Sequence, residues 1–275
     1  MFEALIPAIA ALLFGLIIGS FLNVCIHRMP RDESIVWPGS RCPTCRHSIA
    51  PYDNIPLLSW ILLHGRCRHC FTRIHWRYPL VEALTGILFA LAILTWGPTA
   101  AAIKYMLFSV LCVGMLFTDL ETRLLPDEFT LGGLACGLIL SVLIPQQNTF
   151  LAFFAPSLPL PVISLLDAGI GAAFGSGSFW IVAEAYSRIR GREGLGFGDV
   201  KMVAMLGAFL GITGAMAAIL VGCIAGSVLG LLWIWYRKQA ANQYELPFGS
   251  FLAAAGLFIA FRGEGLLNWY EHLAR

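Results

Sequence analysis

Charged residues are scarce in this sequence: Asp, Glu, Lys and Arg make up 12% of the 275 residues, whereas 58% of the residues are hydrophobic. Soluble domains carry about 25% charged residues, so this chain has too few of them to cover a water-exposed surface of its size. The shortage argues against a large soluble α/β core. Because the apolar runs are also long and numerous, lipid is the expected solvent for most of the chain.

Two motifs are also missing. The arginines flank apolar spans and no known nucleic-acid-binding motif accompanies them, so we predict no nucleic-acid partner. No H-E-x-x-H motif is present, which argues against a zinc metallopeptidase.

Eight apolar runs predict membrane-spanning helices, because lipid offers no hydrogen-bond partners to exposed backbone. They lie near 4–25, 79–97, 100–118, 129–145, 163–186, 199–212, 214–236 and 248–262. The predicted fold is an all-α polytopic membrane protein with about eight transmembrane helices. The division between the sixth and seventh spans, around Ile212–Gly214, is the least distinct.

Basic residues predict the orientation of these spans, because Lys and Arg concentrate in cytoplasmic loops. Positive charge follows the first apolar run, which places the N-terminus outside the cytoplasm. Alternation then places the loops 26–78, 119–128, 187–198 and 237–247 inside, and fifteen of the eighteen Lys and Arg residues fall on that side.

Four cysteines lie in the first of these loops. Cys42 and Cys45 form one C-x2-C pair and Cys67 and Cys70 a second, 21 residues apart. Two such pairs can place four thiolates tetrahedrally around a structural Zn²⁺. Two disulfides are the alternative, but they need an oxidising compartment. We predict a small cytoplasmic zinc-binding insert over residues 26–78, in which four thiolates leave no open metal position for catalysis.

Two aspartates, Asp119 and Asp199, stand where apolar runs meet predicted cytoplasmic loops. Paired carboxyl groups share one proton, because two adjacent negative charges repel each other. The ionised member takes a proton from water while the protonated member donates to the peptide carbonyl, which hydrolyses a peptide bond. Helix capping is the alternative role for each aspartate, and Asp127 or Glu128 are alternative partners for Asp199.

Neighbouring residues are candidates for contacts with a substrate or a cosubstrate. Gly196 and Gly198 lack side chains and would let a substrate backbone approach. Lys201 is either an interfacial anchor or a contact for a substrate carboxylate. Asn23 could bind a ligand or form an interhelical hydrogen bond, and Glu82 could lie at an ordinary interfacial position or at a second reaction site.

Motifs in order along the chain carry a resemblance to a known family. They are Gly19–Val24 followed by Cys25–Pro30, the four cysteines, Asp119 with Leu125–Asp127, Gly196–Asp199, and Pro247–Gly249. With these motifs the chain resembles the type IV prepilin peptidases, a family of membrane aspartic peptidases, over nearly its whole length.

The resemblance implies that Asp119 and Asp199 are the catalytic pair, in a bacterial inner membrane protein whose active site and zinc module face the cytoplasm. It implies prepilins or pseudopilins as substrates, cleaved after the glycine that ends a short basic leader. It also implies N-methylation of the new N-terminus with S-adenosylmethionine, although the sequence contains no glycine-rich methyl-donor loop.

The expected domains are a first transmembrane helix over 1–25, the zinc module over 26–78 as the methyltransferase part, and a peptidase bundle over 79–275. The alternative function is a non-enzymatic membrane assembly or transport subunit with a cytoplasmic zinc module. The sequence leaves the oligomeric state open.

Overall fold

The computed structural model of the chain describes residues 2–146, 149–191, 196–237 and 247–273. Within these ranges the chain is helical and contains no strand, which confirms the all-α class. The helices are α1 (Phe2–Arg28), α2 (Leu58–Leu62), α3 (Arg77–Trp96), α4 (Ala100–Thr122), α5 (Asp127–Leu143), α6 (Phe150–Phe154), α7 (Leu160–Arg190), α8 (Phe197–Arg237) and α9 (Phe248–Leu273). Parts of the predicted loops 187–198 and 237–247 lie outside the described residues.

The helices divide between two compact units, Met1–Gly114 and Met115–Arg275, and the division falls within α4. In the first unit α1 packs along α3 at two glycines. A Cβ on Gly15 would lie 2.8 Å from the Cα of Gly86, and a Cβ on Gly19 would lie 2.7 Å from the Cα of Glu82. Only residues without a side chain allow this approach, so α3 belongs with the first helix in this unit.

The second unit is a bundle of α5, α7, α8 and α9. One close helix contact joins α7 and α8, where a Cβ on Gly207 would lie 2.3 Å from the backbone carbon of Gly171. A Cβ on Gly137 of α5 would likewise lie 2.8 Å from the Cβ of Ala208. Small residues at these contacts let the helix backbones approach closely. In lipid the hydrophobic effect does not drive helices together, and such close packing stabilises their association instead.

Helix α8 reverses direction at Gly211, whose φ of 70° and ψ of −175° break the helix. Val203 before the break and Ile219 after it have side-chain atoms 2.7 Å and 3.8 Å from the position of a Cβ on Gly175. Sixteen residues of continuous helix would separate them by about 24 Å along the axis. The two halves of α8 therefore run in opposite directions.

A buried carboxylate fixes this reversal. Asp167 of α7 is 2% exposed and accepts a hydrogen bond from the backbone N–H of Ile212, the first residue after the break. The N–H groups at the start of a helix lack intrahelical partners, and an aspartate oxygen satisfies one of them. A Cβ at Gly211 would collide with this carboxylate, so glycine is required there for space as well as for its positive φ.

Five helices of the described chain are long and apolar enough to cross a membrane: α1, α3, α4, α7 and α8. Two further apolar helices are shorter than these five. They are α5, with 17 residues, and the apolar part of α9 within the described range, Phe248–Gly263. All eight predicted spans fall on helices, with the sixth and seventh on the two halves of α8. The multi-pass class is confirmed, while the count of eight stays a prediction.

Candidate functional site

Asp119 lies in the last turn of α4 and is 5% exposed. Its Oδ2 atom accepts two hydrogen bonds from Ser250, one from the backbone N–H at 2.7 Å and one from the hydroxyl at 2.8 Å. Ser250 lies in the first turn of α9, where backbone N–H groups are free to bind an anion and the helix dipole favours negative charge. These two hydrogen bonds favour the ionised form of the Asp119 carboxyl group.

Asp199 lies in the first turn of α8 and is half-buried. Its backbone N–H donates to the carbonyl oxygen of Gly196 at 3.0 Å, which starts the helix. The carboxyl groups of Asp119 and Asp199 are close enough for their negative charges to repel each other. The structure therefore brings these two predicted residues together within the second unit, although 80 positions separate them in the sequence.

Leu125 packs against two glycines, Gly198 next to Asp199 in the sequence and Gly249 beside the Asp119 carboxyl group. A Cβ on Gly198 would lie 3.1 Å from the Cβ of Leu125, and a Cβ on Gly249 would lie 3.1 Å from its Cδ1 and 3.2 Å from the Cγ of Asp119. A side chain at either glycine would therefore push on Leu125 or on the Asp119 carboxyl group. The two glycines keep the space around the carboxyl pair open.

Gly196 is exposed, and a Cβ there would lie at an ordinary contact distance of 3.6 Å from Asp199 Oδ2. A side chain at position 196 would therefore lie against this oxygen, and glycine leaves that place free. Both glycines predicted to contact substrate border the carboxyl pair, and their role in binding stays a prediction.

Lys201 is part of an ion pair with Asp127, with 2.6 Å between Nζ and Oδ1. The ammonium also lies 5.3 Å from the ring centre of Phe197. Asp127 begins α5 and its side chain is exposed, so this carboxylate has a cationic partner of its own. The predicted contact of Lys201 with substrate stays a prediction, and Asp119 rather than Asp127 lies beside Asp199.

Sequence reasoning missed Ser250, and it named Leu125 only as part of a motif. The motif Pro247–Gly249 was recognised, but the residue that follows it carries the hydrogen bonds to Asp119. A serine at the start of an apolar helix is a sequence signal for a cap, and it could have directed attention to this position.

The four cysteines of the first unit form one cluster. The sulfur atoms of Cys42, Cys45, Cys67 and Cys70 all lie within 4.8 Å of one another, and those of Cys42 and Cys70 are 3.7 Å apart. Tetrahedral zinc with Zn–S bonds of about 2.3 Å places its sulfurs about 3.8 Å apart. All four thiols are free of disulfides, and the cluster can hold a zinc ion.

The backbone around the two cysteine pairs repeats. Arg46 donates to the carbonyl of Cys42 at 2.9 Å, and Phe71 donates to the carbonyl of Cys67 at 3.0 Å. Both donors have positive φ, 56° and 57°, which turns the chain tightly behind each pair. Isolated bridges Arg41–Ser48 and Arg66–Arg73 close the two loops. Two equivalent turns thus present two sulfurs each to a common point.

Thiol ionisation in the cluster also fits a cation. The hydroxyl and backbone of Thr72 lower the pKa of Cys70 to about 6. The pKa of Cys45 rises to about 11 although a His47 backbone hydrogen bond favours its thiolate, because desolvation and hydrogen bonds with the other three thiols favour the protonated form. One thiol of the cluster ionises readily, whereas ionisation of a second thiol beside it is unfavourable. A divalent cation bound to the sulfurs would stabilise the additional thiolates.

Comparisons with known proteins divide the chain similarly. Residues 13–96 match the model of the bacterial peptidase A24 N-terminal domain, and residues 105–231 match that of the type IV leader peptidase family.

Relatives named prepilin leader peptidase/N-methyltransferase match over most of their length. The chain is 36% identical to that of Burkholderia pseudomallei (strain 1026b) over 92% of this chain and 84% of the relative. It is 36% identical to that of Aeromonas hydrophila, over 94% and 91%, and 41% identical to that of Myxococcus xanthus (strain DK1622), over 87% and 67%. No solved structure matches the chain significantly.

Proposed function

The chain belongs to the type IV leader peptidase family, and on this premise we propose that Asp119 and Asp199 are the carboxyl pair that hydrolyses the leader peptide bond of a prepilin or pseudopilin. The chain is a peptidase with methyltransferase activity. A family of peptidases favours the enzyme over a non-enzymatic membrane subunit.

The observation that carries this proposal is the environment of the pair. Asp119 receives two hydrogen bonds at Oδ2 from Ser250, and hydrogen bonds to a carboxylate stabilise its charged form. Asp199 faces that charge across the site, so a shared proton belongs on Asp199. Two carboxyl groups with different surroundings thus supply one base and one acid.

The two carboxyl groups act together when water attacks the peptide bond. The Asp119 carboxylate accepts a proton from a water molecule as that water attacks the peptide carbonyl carbon. Asp199 donates its proton to the carbonyl oxygen, which neutralises the developing negative charge. Collapse of the tetrahedral intermediate breaks the C–N bond, and the leaving amine takes a proton back from the pair, so no covalent enzyme intermediate forms.

Substrate placement follows from the positions of the aspartates at helix ends. The apolar helix of the pilin lies in the bilayer, and its basic leader stays on the side that we assign to the cytoplasm of a bacterial inner membrane. The scissile bond after the leader glycine then meets the carboxyl pair, with Gly196 and Gly198 beside it and Lys201 near its polar edge. The zinc ion is structural, held by the four cysteines of the 26–78 module.

The test is cleavage of a purified prepilin by Asp119→Asn and Asp199→Asn variants in detergent or liposomes. Loss of either acid or base should reduce the rate by at least about 100-fold, the lower range for general acid–base catalysis. Glu184→Gln is the matched control and should cleave like the parent, because Glu184 pairs with Arg188 within α7 and belongs neither to the proposed pair nor to its substrate contacts. Cleavage at the parent rate by either dyad variant would rule out the proposed pair.

A further inference from the structure

One face of the short helix α2 is apolar and exposed. Leu58, Ile61 and Leu62 are 49%, 62% and 67% exposed, and positions three and four residues apart lie on the same side of a helix. Ser59 is buried, and its hydroxyl donates to the carbonyl of Tyr52 at 3.0 Å. The three apolar side chains are thus open to a partner from outside the chain.

Leu57, the residue before α2, is tied to a helix that can cross a membrane. Its backbone N–H donates to Oε2 of Glu82 on α3 at 2.8 Å, and the Ser20 hydroxyl of α1 bonds to the same carboxylate. Both α1 and α3 are long and apolar enough to cross a membrane. Glu82 lies five residues beyond Arg77, the first residue of α3, which is about 7.5 Å along the helix. The start of α2 is therefore held on the membrane side of the first turn of α3.

The other end of α2 is tied just outside α3. The indole N–H of Trp60 donates to the carbonyl of Ile74 at 3.4 Å, and the backbone N–H of Ile74 donates to Gly65 at 2.7 Å. Ile74 precedes α3 by three residues, and Arg77 and Arg28 stand at the adjoining ends of α3 and α1. Basic residues at the ends of crossing helices mark the level of the lipid headgroups. Helix α2 therefore lies at the boundary of headgroups and acyl chains, where amphipathic helices bury their apolar faces.

Two arginines stand beside this face. Arg66 follows α2 and forms an isolated bridge with Arg73, and both residues are exposed. Neither forms an ion pair with another described residue. Residues 26–78 contain eight arginines against three acidic residues, and guanidinium groups bind phosphate oxygens in pairs. An apolar face beside exposed guanidinium groups complements a surface of anionic lipid.

We propose that α2 and the loop Arg66–Arg73 dock the cysteine module (residues 26–78) onto anionic lipid of the bilayer that α1 and α3 cross. The face formed by Leu58, Ile61 and Leu62 enters the acyl boundary, and the two guanidinium groups contact lipid phosphates. The bilayer thereby fixes the height of the four cysteines at the membrane face. A segment of a substrate protein is the other partner that an apolar face could take, but the height of α2 beside two crossing helices favours lipid. The docking surface includes no residue of the carboxyl pair.

A photoreactive side chain on α2 tests this docking. Benzoylphenylalanine replaces Leu62 in the full-length chain, which is reconstituted into vesicles of phosphatidylcholine and phosphatidylglycerol. Illumination should give lipid adducts in which phosphatidylglycerol exceeds its share of the vesicle by about fivefold or more, the ratio that about 1 kcal/mol for one basic residue corresponds to. The same probe at Ser48, which is exposed in the other cysteine loop, is the position control and should give few lipid adducts.

Charge variants carrying the probe at Leu62 test the arginines. Arg66→Gln with Arg73→Gln should return the phosphatidylglycerol share of the adducts to that of the vesicle. Arg41→Gln with Arg46→Gln removes the same charge from the other cysteine loop and should keep the enrichment. Zinc content and leader cleavage like those of the parent show that each variant is folded. The probe at Leu62 alone needs neither double variant, so the lipid contact is tested even where a double variant does not fold.

Three results would overturn the docking. The first is a yield of lipid adducts at Leu62 no higher than at Ser48. The second is a parent whose adducts match the vesicle composition, which would remove the preference for anionic lipid. The third is replacement of the lipid adducts by prepilin adducts when prepilin is added, which would assign the face to the substrate.

Discussion

Ser250 donates both its backbone N–H and its hydroxyl to one oxygen of Asp119, at 2.7 Å and 2.8 Å. The hydroxyl oxygen also lies 3.0 Å from the carbonyl of Leu116, one turn earlier on α4. These hydrogen bonds thus hold the start of α9 against the end of α4 at the carboxyl pair. The backbone bond survives any substitution of the side chain, and the hydroxyl bond does not.

Ser250→Ala removes the hydroxyl bond alone. We expect kcat for leader cleavage to fall about 10- to 100-fold, because a hydrogen bond to a charged group contributes about 1.5–3 kcal/mol. The KM should change little, since the serine acts by positioning Asp119 through its hydrogen bonds. Initial rates over a range of prepilin concentrations measure both parameters.

Ser178→Ala is the control for Ser250→Ala. The Ser178 hydroxyl bonds to the carbonyl of Gly175 within α7, so its loss removes a hydroxyl without touching the carboxyl pair. Equal rates in Ser250→Ala and the parent would show that the hydroxyl bond has no part in holding Asp119.

Gly249→Ala tests the space beside the carboxyl pair. A Cβ there would lie 3.2 Å from both Cγ and Oδ2 of Asp119, so the carboxyl group must shift by a few tenths of an ångström. We expect cleavage to slow by at least about tenfold, because small displacements of catalytic groups are costly. Gly177→Ala is the control, since nothing lies within 4 Å of its Cβ. A Gly249→Ala enzyme with the parent rate would refute this role.

Much of the fold follows from composition and local pattern. Apolar runs longer than about 17 residues must be helical in lipid, and every predicted span lies on a helix. The cysteine cluster follows from spacing alone, because two residues between cysteines fit a tight turn that presents two sulfurs. The alternation of spans alone predicts that Asp119 and Asp199 lie at the same membrane face.

The remaining features depend on contacts that spacing does not encode. Ser250 meets Asp119 across 131 positions, and Lys201 meets Asp127 across 74. Both contacts depend on how α9 and α8 lie against their neighbours. The reversal in α8 occurs inside an uninterrupted apolar run, and the sequence placed it around Ile212–Gly214, whereas Gly211 forms the break. The run contains many glycines, so the sequence does not indicate which of them breaks the helix. The buried carboxylate of Asp167 beside Gly211 determines the position of the break.

Gly207→Ala tests the packing of α7 on α8. The added Cβ would lie 2.3 Å from the Gly171 backbone. Backbone atoms cannot move aside as the end of a flexible side chain could. Overpacking costs about 1–3 kcal/mol, so we expect a lower midpoint of thermal unfolding in detergent, followed by circular dichroism. Gly169→Ala on α7 is the control, because its Cβ meets nothing within 4 Å and alanine favours helix. Equal midpoints for Gly207→Ala and the parent would contradict this close contact.

Zinc removal should open the cysteine module, because a segment of this size has little core and its metal contributes much of its folding energy. We expect about one zinc per chain, lost in a double variant of Cys42→Ser with Cys45→Ser. The arginines of the module are trypsin sites, so chelator or the double variant should speed tryptic cleavage between Arg28 and Arg77. Cys136→Ser, a lone cysteine of α5, should keep both zinc and resistance. A metal-free module that resists trypsin equally with and without chelator would show that the four thiols do not hold it together.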